Sequence, residues 1–263
     1  MDIIVCVKRV PDTSEVDIAV DKTGLDIVKD DLVFDINEWD SYALEEAVLL
    51  KERLGGTVTA FTIGPEDAEE VLRRSLAVGA DNAVHLLDPA FECADGYATA
   101  KTLAAAIRRV PFDLVLAGAQ ASDDGFGQTG AALAELLSAP HATIVTSIEI
   151  DGKTARVRRE LEGGLEELLE LSLPAVLTIQ TGINEPRYVS IAGIRRVARR
   201  EIEVLSADHL GLAREEVGEA GSKTRIDKVF LPPPSQGGEI IQGSADAVAD
   251  KVVGIFASKG WLK

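Results

Sequence analysis

Leu114-Val115-Leu116-Ala117-Gly118-Ala119-Gln120-Ala121-Ser122-Asp123-Asp124-Gly125-Phe126-Gly127-Gln128-Thr129-Gly130 is the stretch that decides the fold. An apolar run ends at Gly118, a loop of small and polar residues follows, and a helical pattern carrying Leu133, Leu136 and Leu137 comes next. In open α/β sheets such loops lie at the carboxyl ends of strands, where ligands bind. A helix start offers free backbone N–H groups and a positive dipole end, and glycine lets an anion come close to the main chain. With the Thr129 hydroxyl as a further donor, these features predict a phosphate seat near Gly127–Gly130. Asp123 and Asp124 read either as contacts to ribose hydroxyls or as a turn and helix cap. Gly125–Gly130 also matches G-x-G-x-x-G, with Glu149 further on. That fingerprint needs its glycines directly after the strand, whereas Ala119–Asp124 intervene, so the match is treated as fortuitous.

Working outward, further strands are predicted at Ile3–Val7, Thr57–Ile63, Ala83–Leu87, Leu114–Ala117, Thr143–Ile150 and Ala175–Gln180. Several are apolar without alternation, the pattern of strands buried on both faces of a parallel sheet. Helices are predicted between them at Ser41–Leu54, Glu66–Val78, Gly96–Val110 and Gly127–Leu137, with Gly55-Gly56 and Gly79 where helices should stop. The alternation implies an α/β fold with a doubly wound, mostly parallel sheet, similar to adenine-nucleotide-binding Rossmann-like folds. After about residue 150 the texture changes. Arg156–Glu170 reads as a polar hairpin turning at Glu162-Gly163-Gly164. Four arginines, Arg195, Arg196, Arg199 and Arg200, then fall within six residues, and 206–229 is polar and patternless. Phe230–Gly238 reads as a proline-then-glycine linker, and Ser244–Lys259 as an amphipathic helix with Val248, Val252, Ile255 and Phe256 on one face. Residues 1–205 are therefore expected to form the nucleotide-binding domain with its hairpin, and 206–263 an arm. A helix this short needs tertiary packing, supplied by the chain's own body or by a partner.

Composition limits the function. The chain has 263 residues, with 27 Lys and Arg against 44 Asp and Glu, giving a formal net charge of −17. That balance argues against general nucleic-acid binding. The cysteines are Cys6 and Cys93, without a CxxC pattern, which excludes a disulfide framework and a zinc site and suits a reducing cytoplasm. MDIIVCVKRV is too short in apolar residues for a signal peptide, and no run reaches the length of a membrane-spanning helix, so no membrane insertion is expected. His85, His141 and His209 are scattered, and P-loop lysine, GxSxG and HExxH motifs are missing. No catalytic or metal-binding residue is predicted. The chain reads as a binder or carrier rather than an enzyme.

Four motifs carry a family resemblance over nearly the whole chain. They are Val5-Cys6-Val7-Lys8-Arg9-Val10-Pro11-Asp12; Asn37-Glu38-Trp39-Asp40-Ser41-Tyr42-Ala43-Leu44-Glu45-Glu46-Ala47; the Gly118–Gly130 loop; and Glu160–Glu166 together with Asn184-Glu185-Pro186-Arg187-Tyr188. In this order the chain resembles the small (beta) subunit of electron transfer flavoprotein. The resemblance implies a heterodimer with a larger alpha subunit that holds most of the FAD, while the beta subunit buries a structural AMP. It implies electron transfer from flavin dehydrogenases, such as acyl-CoA dehydrogenases of fatty acid oxidation, to a quinone reductase. AMP contacts carried over by motif are Cys6, Asn37, Glu38, Trp39, Asp40, Ile63 and Gly118 through Gly130. Ile191 becomes the apolar anchor for a docked dehydrogenase, with Arg195 and Arg196 beside it, and Glu160 faces the flavin domain. The arm is then expected to pack on the alpha subunit. Family members usually have Pro where Glu38 stands and Glu where Ser41 stands. Two alternatives are an electron-bifurcating subunit with a second FAD in place of AMP, and an adenine-nucleotide-using enzyme, whose Ser-Gly-Gly-x-Asp type of signature is missing here.

Overall fold

Ile3, Ile4, Val5 and Cys6 are all buried, because strand β1 (Asp2–Cys6) is covered on both faces. Ile3 and Val5 join Ala43, Leu44, Ala47 and Leu50 in one apolar cluster. Ile4 and Cys6 join Leu103, Ala104, Ile107 and Leu133 in another. Successive side chains on a strand point to opposite faces, so an unbroken apolar run marks a strand between two helical layers. The structure, a computed structural model, describes residues 1–14, 16–233 and 237–262.

The other strands are β2 (Arg9–Pro11), β3 (Phe34–Ile36), β4 (Thr57–Ile63), β5 (Asn82–Leu86), β6 (Leu114–Gly118), β7 (His141–Asp151), β8 (Thr154–Leu161), β9 (Leu165–Ser172), β10 (Ala175–Ile179) and β11 (Glu203–Leu205). The helices are α1 (Glu38–Leu54), α2 (Glu69–Val78), α3 (Gly96–Ile107), α4 (Thr129–Leu137), α5 (Ile191–Val197), α6 (Ala207–Leu210), α7 (Gly218–Gly221) and α8 (Ala245–Ser258). The main sheet runs β11-β5-β4-β1-β6-β10-β7-β8-β9. It is parallel as far as β7, and β8 and β9 continue it antiparallel. Helices α1 and α2 cover one face, α3 and α4 the other. The direction of winding reverses between β1 and β6. The loops leaving these two neighbours part to opposite faces and open a crevice at their carboxyl ends.

The α/β, mostly parallel reading holds, with differences of detail. Helix α1 starts at Glu38, not Ser41, because Glu38 and Asp40 favour the positive end of a helix and fit its first turn. Helix α4 starts at Thr129 rather than Gly127, since Gly127 has φ +61°, outside the helical region. The antiparallel pair β2 and β3 brackets residues 12–33, a pairing of short segments that periodicity does not signal. The stretch 206–229 is not structureless. It contains α6, a 3-10 turn at Arg214–Glu216 and α7, and it buries Ala207 and Val217 in the α3 cluster. Within the expected linker, residues 234–236 lie outside the described residues. Helix α8 is present, capped by the Ser244 hydroxyl accepting from the Ala247 N–H, and none of its residues is buried.

Gly130, expected in the phosphate seat, has a second job. It is buried at the start of α4, and a Cβ there would stand 2.2 Å from Thr178 Cγ2 on β10. Its smallness therefore sets the distance of closest approach between helix and sheet. Gly130→Ala is expected to lower stability by about 1–3 kcal/mol through overpacking, read as a shift in the urea midpoint.

Candidate functional site

The crevice is held together by Asp40. Its carboxylate is buried, with Oδ2 accepting from the Lys8 N–H at 2.8 Å and Oδ1 from the Gly118 N–H at 2.8 Å. One side chain at the start of α1 thus ties the end of β1 to the end of β6. Gly118 is required at this spot, because a Cβ would lie 2.4 Å from Asp40 Oδ1 and 2.7 Å from Trp39 Cβ. Asn37 extends the brace: its Nδ2 donates to the Gln120 carbonyl at 2.8 Å, and its Oδ1 accepts from the Ser122 N–H at 3.1 Å. Burial pushes the Asp40 carboxyl up to about 7, against the pull of the two backbone donors. Burial, and then the nearby Asp40 charge, push the Cys6 thiol up to about 12, so Cys6 is an inert core thiol at the end of β1.

Above this floor lies the Gly118–Gly130 loop. Gln120, Ser122, Asp123, Asp124, Gly125, Phe126, Gly127 and Gln128 are exposed, while Ala119, Ala121 and Thr129 are half-buried. Lys8 reaches across the mouth, its Nζ 2.7 Å from Asp123 Oδ1 and 2.8 Å from Asp124 Oδ2. Burial pulls the Lys8 ammonium down, but the two carboxylates more than offset it, and its pKa is raised. Asp123 and Asp124, beside the expected phosphate seat, are thus neutralised by a lysine that closes the gap between the two loops. The nine-residue α4 begins without a side-chain cap and without an acid in its first turn. By contrast, α3 is capped by Asp95, whose carboxylate accepts from the Ala98 N–H at 2.9 Å. An uncapped helix start facing a crevice, with small residues leading into it and its acids already paired, fits a mononucleotide phosphate. Ile63 ends β4, two strands from β6, and Glu38 is exposed at the start of α1.

The profile of the "Electron transfer flavoprotein domain" matches residues 24–210. The chain belongs to the electron transfer flavoprotein beta-subunit family. It is 38% identical to "Electron transfer flavoprotein subunit beta" of Methylophilus methylotrophus, over 97% of this chain and 98% of that one. It is 39% identical to the protein of the same name from Bacillus subtilis, over 98% of both chains. It is also 41% identical to "Caffeyl-CoA reductase-Etf complex subunit CarD" of Acetobacterium woodii, over 98% of this chain and 97% of that one. This beta-type chain is an electron transfer subunit, and no helix among its described residues is long and apolar enough to cross a membrane.

Two other sequence-predicted groups lie away from the crevice mouth. Ile191 is 68% exposed at the start of α5, which the Ser190 hydroxyl caps by accepting from the Gly193 N–H at 3.1 Å. Arg195 and Arg196 are exposed in the last turn, where cations suit the helix dipole. Glu160, on β8, accepts from Gln180 Nε2 at 3.0 Å, and Gln180 Oε1 accepts from Trp39 Nε1 at 3.1 Å. Sequence reasoning quoted the α1 motif and the Asn184–Tyr188 motif separately and missed that they bind each other. Arg187 Nη2 and Nε hold the buried Glu45 at 2.8 and 2.9 Å, and Nη1 holds Glu52 at 2.8 Å. Asn184 Nδ2 donates to Glu46 Oε2 at 3.0 Å and to the Tyr42 carbonyl at 3.1 Å. The segment before α5 is therefore bolted to α1. The only hint was buried-type acids on an otherwise apolar helix face.

The Asp40 site carries a pH signature. Its folded pKa lies above the ordinary value of 3.8, so its contribution to stability is complete below about pH 4 and is lost as pH rises through about 7. Asp40→Asn cannot titrate there. The parent's stability, measured against that variant, is expected to fall between pH 4 and 7 by an amount on the order of 1–4 kcal/mol. Urea midpoints of the two proteins at pH 4.5 and pH 8 check this, and a constant difference would contradict it.

Proposed function

We propose that this chain is the non-redox half of a two-subunit electron carrier, with AMP seated in the crevice between β1 and β6 as a structural brace. The observation that carries the reading is the uncapped start of α4 facing a crevice whose acids are already paired by Lys8. The phosphate would meet the first-turn N–H groups of α4 and the Thr129 hydroxyl, and the adenosine would lie towards Asn37–Asp40 and Ile63. Asn37 and Asp40 serve mainly by holding the loops, since their polar atoms are already engaged with backbone. FAD, held mainly by an alpha subunit, supplies the redox chemistry when bound. This chain's own residues bind, orient and dock. Ile191, exposed on a capped helix with arginines beside it, has the form of an apolar anchor ringed by charge for a flavin dehydrogenase such as an acyl-CoA dehydrogenase. Glu160 is placed to meet the flavin domain, and electrons would leave for a quinone reductase. In this reading the chain works in the cytoplasm.

A second reading puts another FAD in the place of AMP, as in electron-bifurcating relatives. It draws support from Gly125, an exposed loop position where an added Cβ would meet nothing within 4 Å. Nucleotide extracted from the purified two-subunit complex separates the readings. One flavin with one AMP is expected. Two flavins and no AMP would favour the second reading, and one flavin with no AMP would refute both. Ile191→Ala is expected to lower kcat/KM for electron acceptance from the dehydrogenase by about tenfold, with flavin content unchanged. Stopped-flow reduction of the variant measures it, and an unaltered rate would remove Ile191 from docking.

A further inference from the structure

We infer that Gln180 is a positioning residue that couples the crevice to Glu160 on the hairpin, so that a nucleotide seated beside Gly118 stiffens β8. The inference rests on the nucleotide reading above and deepens it. Gln180 follows β10 directly, and both ends of its amide are engaged. Oε1 accepts from Trp39 Nε1 at 3.1 Å and from the Thr181 N–H at 3.0 Å, and Nε2 donates to Glu160 Oε2 at 3.0 Å. The orientation is defined. A flipped amide would set its NH2 against two N–H donors and its oxygen against a carboxylate, losing every bond at once. Trp39 is equally constrained. It precedes Asp40, which grips the ends of β1 and β6, and its Cβ packs where a side chain on Gly118 would stand. A ligand that fixes the Gly118 backbone therefore fixes Trp39. The indole N–H hands that restraint to Gln180, and the amide hands it to a carboxylate on an exposed antiparallel strand. The last two links are directional hydrogen bonds between side chains from different parts of the chain, Trp39 and Gln180 being 141 positions apart and Gln180 and Glu160 20.

Such a relay works in both directions, because coupling between two binding events is reciprocal. A group that engages Glu160 from outside would tighten the crevice by the same factor. Helix α4, which also leaves the crevice, packs on the opposite face of the sheet from α1. The Trp39–Gln180–Glu160 line is thus a separate route from the phosphate seat.

Hydrogen exchange read by mass spectrometry on the full chain, alone and in its two-subunit complex, tests this, with AMP as the probe and calorimetry on the same samples to report its binding. AMP is expected to slow exchange at 158–161 by about fivefold or more, as well as in the 118–122 loop. In Gln180→Leu the slowing at 158–161 should disappear while that at 118–122 remains. Gln180→Glu, which keeps the acceptor for Trp39 and Thr181 but turns a carboxylate on Glu160, should lose it too, and it serves if the leucine variant folds poorly. If AMP binds and 158–161 does not respond in the parent, or responds in either variant as strongly as in the parent, the coupling is refuted while the nucleotide reading stands. If calorimetry finds no AMP binding in either sample, both fall.

Discussion

A single buried carboxylate keeps the two halves of the sheet's carboxyl edge in register. Asp40 lies at the start of α1, yet its hydrogen bonds go to backbone N–H groups of Lys8 and Gly118, each just beyond or at the end of a different strand. Without it, those donors would be buried without partners, and the loops after β1 and β6 would lose their common anchor. The arrangement is costly because burial disfavours the charged form. A protein that keeps an acid in such a place keeps it for geometry. Asn37 does the same for the outer part of the loop, and Lys8 closes the mouth by pairing Asp123 and Asp124.

The electron transfer role and the thin chemistry of the crevice are consistent with each other. The buried thiol of Cys6 is held protonated by its surroundings, and Lys8, Asp123 and Asp124 at the mouth are tied into pairs. What the crevice offers is shape, backbone donors and a helix start. The surface features that face outward, Ile191 on α5 and Glu160 on β8, are both set in place by contacts that lead back to α1.

Much of the fold was legible because the parallel strands are buried on both faces and leave unbroken apolar runs. Thr57–Ile63 came out with the bounds the structure has. The insertion of β10 between β6 and β7 was not legible, since the chain first leaves through the β8–β9 hairpin and no local pattern says where it returns. At the site, the loop from Gly118 was visible from its small residues and position. The pairings were not. Lys8 and Asp123 are 115 residues apart, and Arg187 and Glu45 are 142 apart, and the sign of a charge does not reveal its partner. Gly130 is instructive in the other direction. A glycine at a helix start suggested room for an anion, and nothing in the sequence showed that its missing side chain also lets Thr178 pack against the helix.

Helix α1 is one unbroken rod of 17 residues, about 25 Å long. Its first turn forms the crevice floor through Trp39 and Asp40, and its middle turns hold Asn184 and Arg187 on the approach to Ile191. A beam without a joint has no way to swing one attachment relative to the other. The angle between the cavity and the exposed isoleucine is thereby built in, so the knob at the surface can be remodelled only in its own shape while the girder beneath it stays as it is.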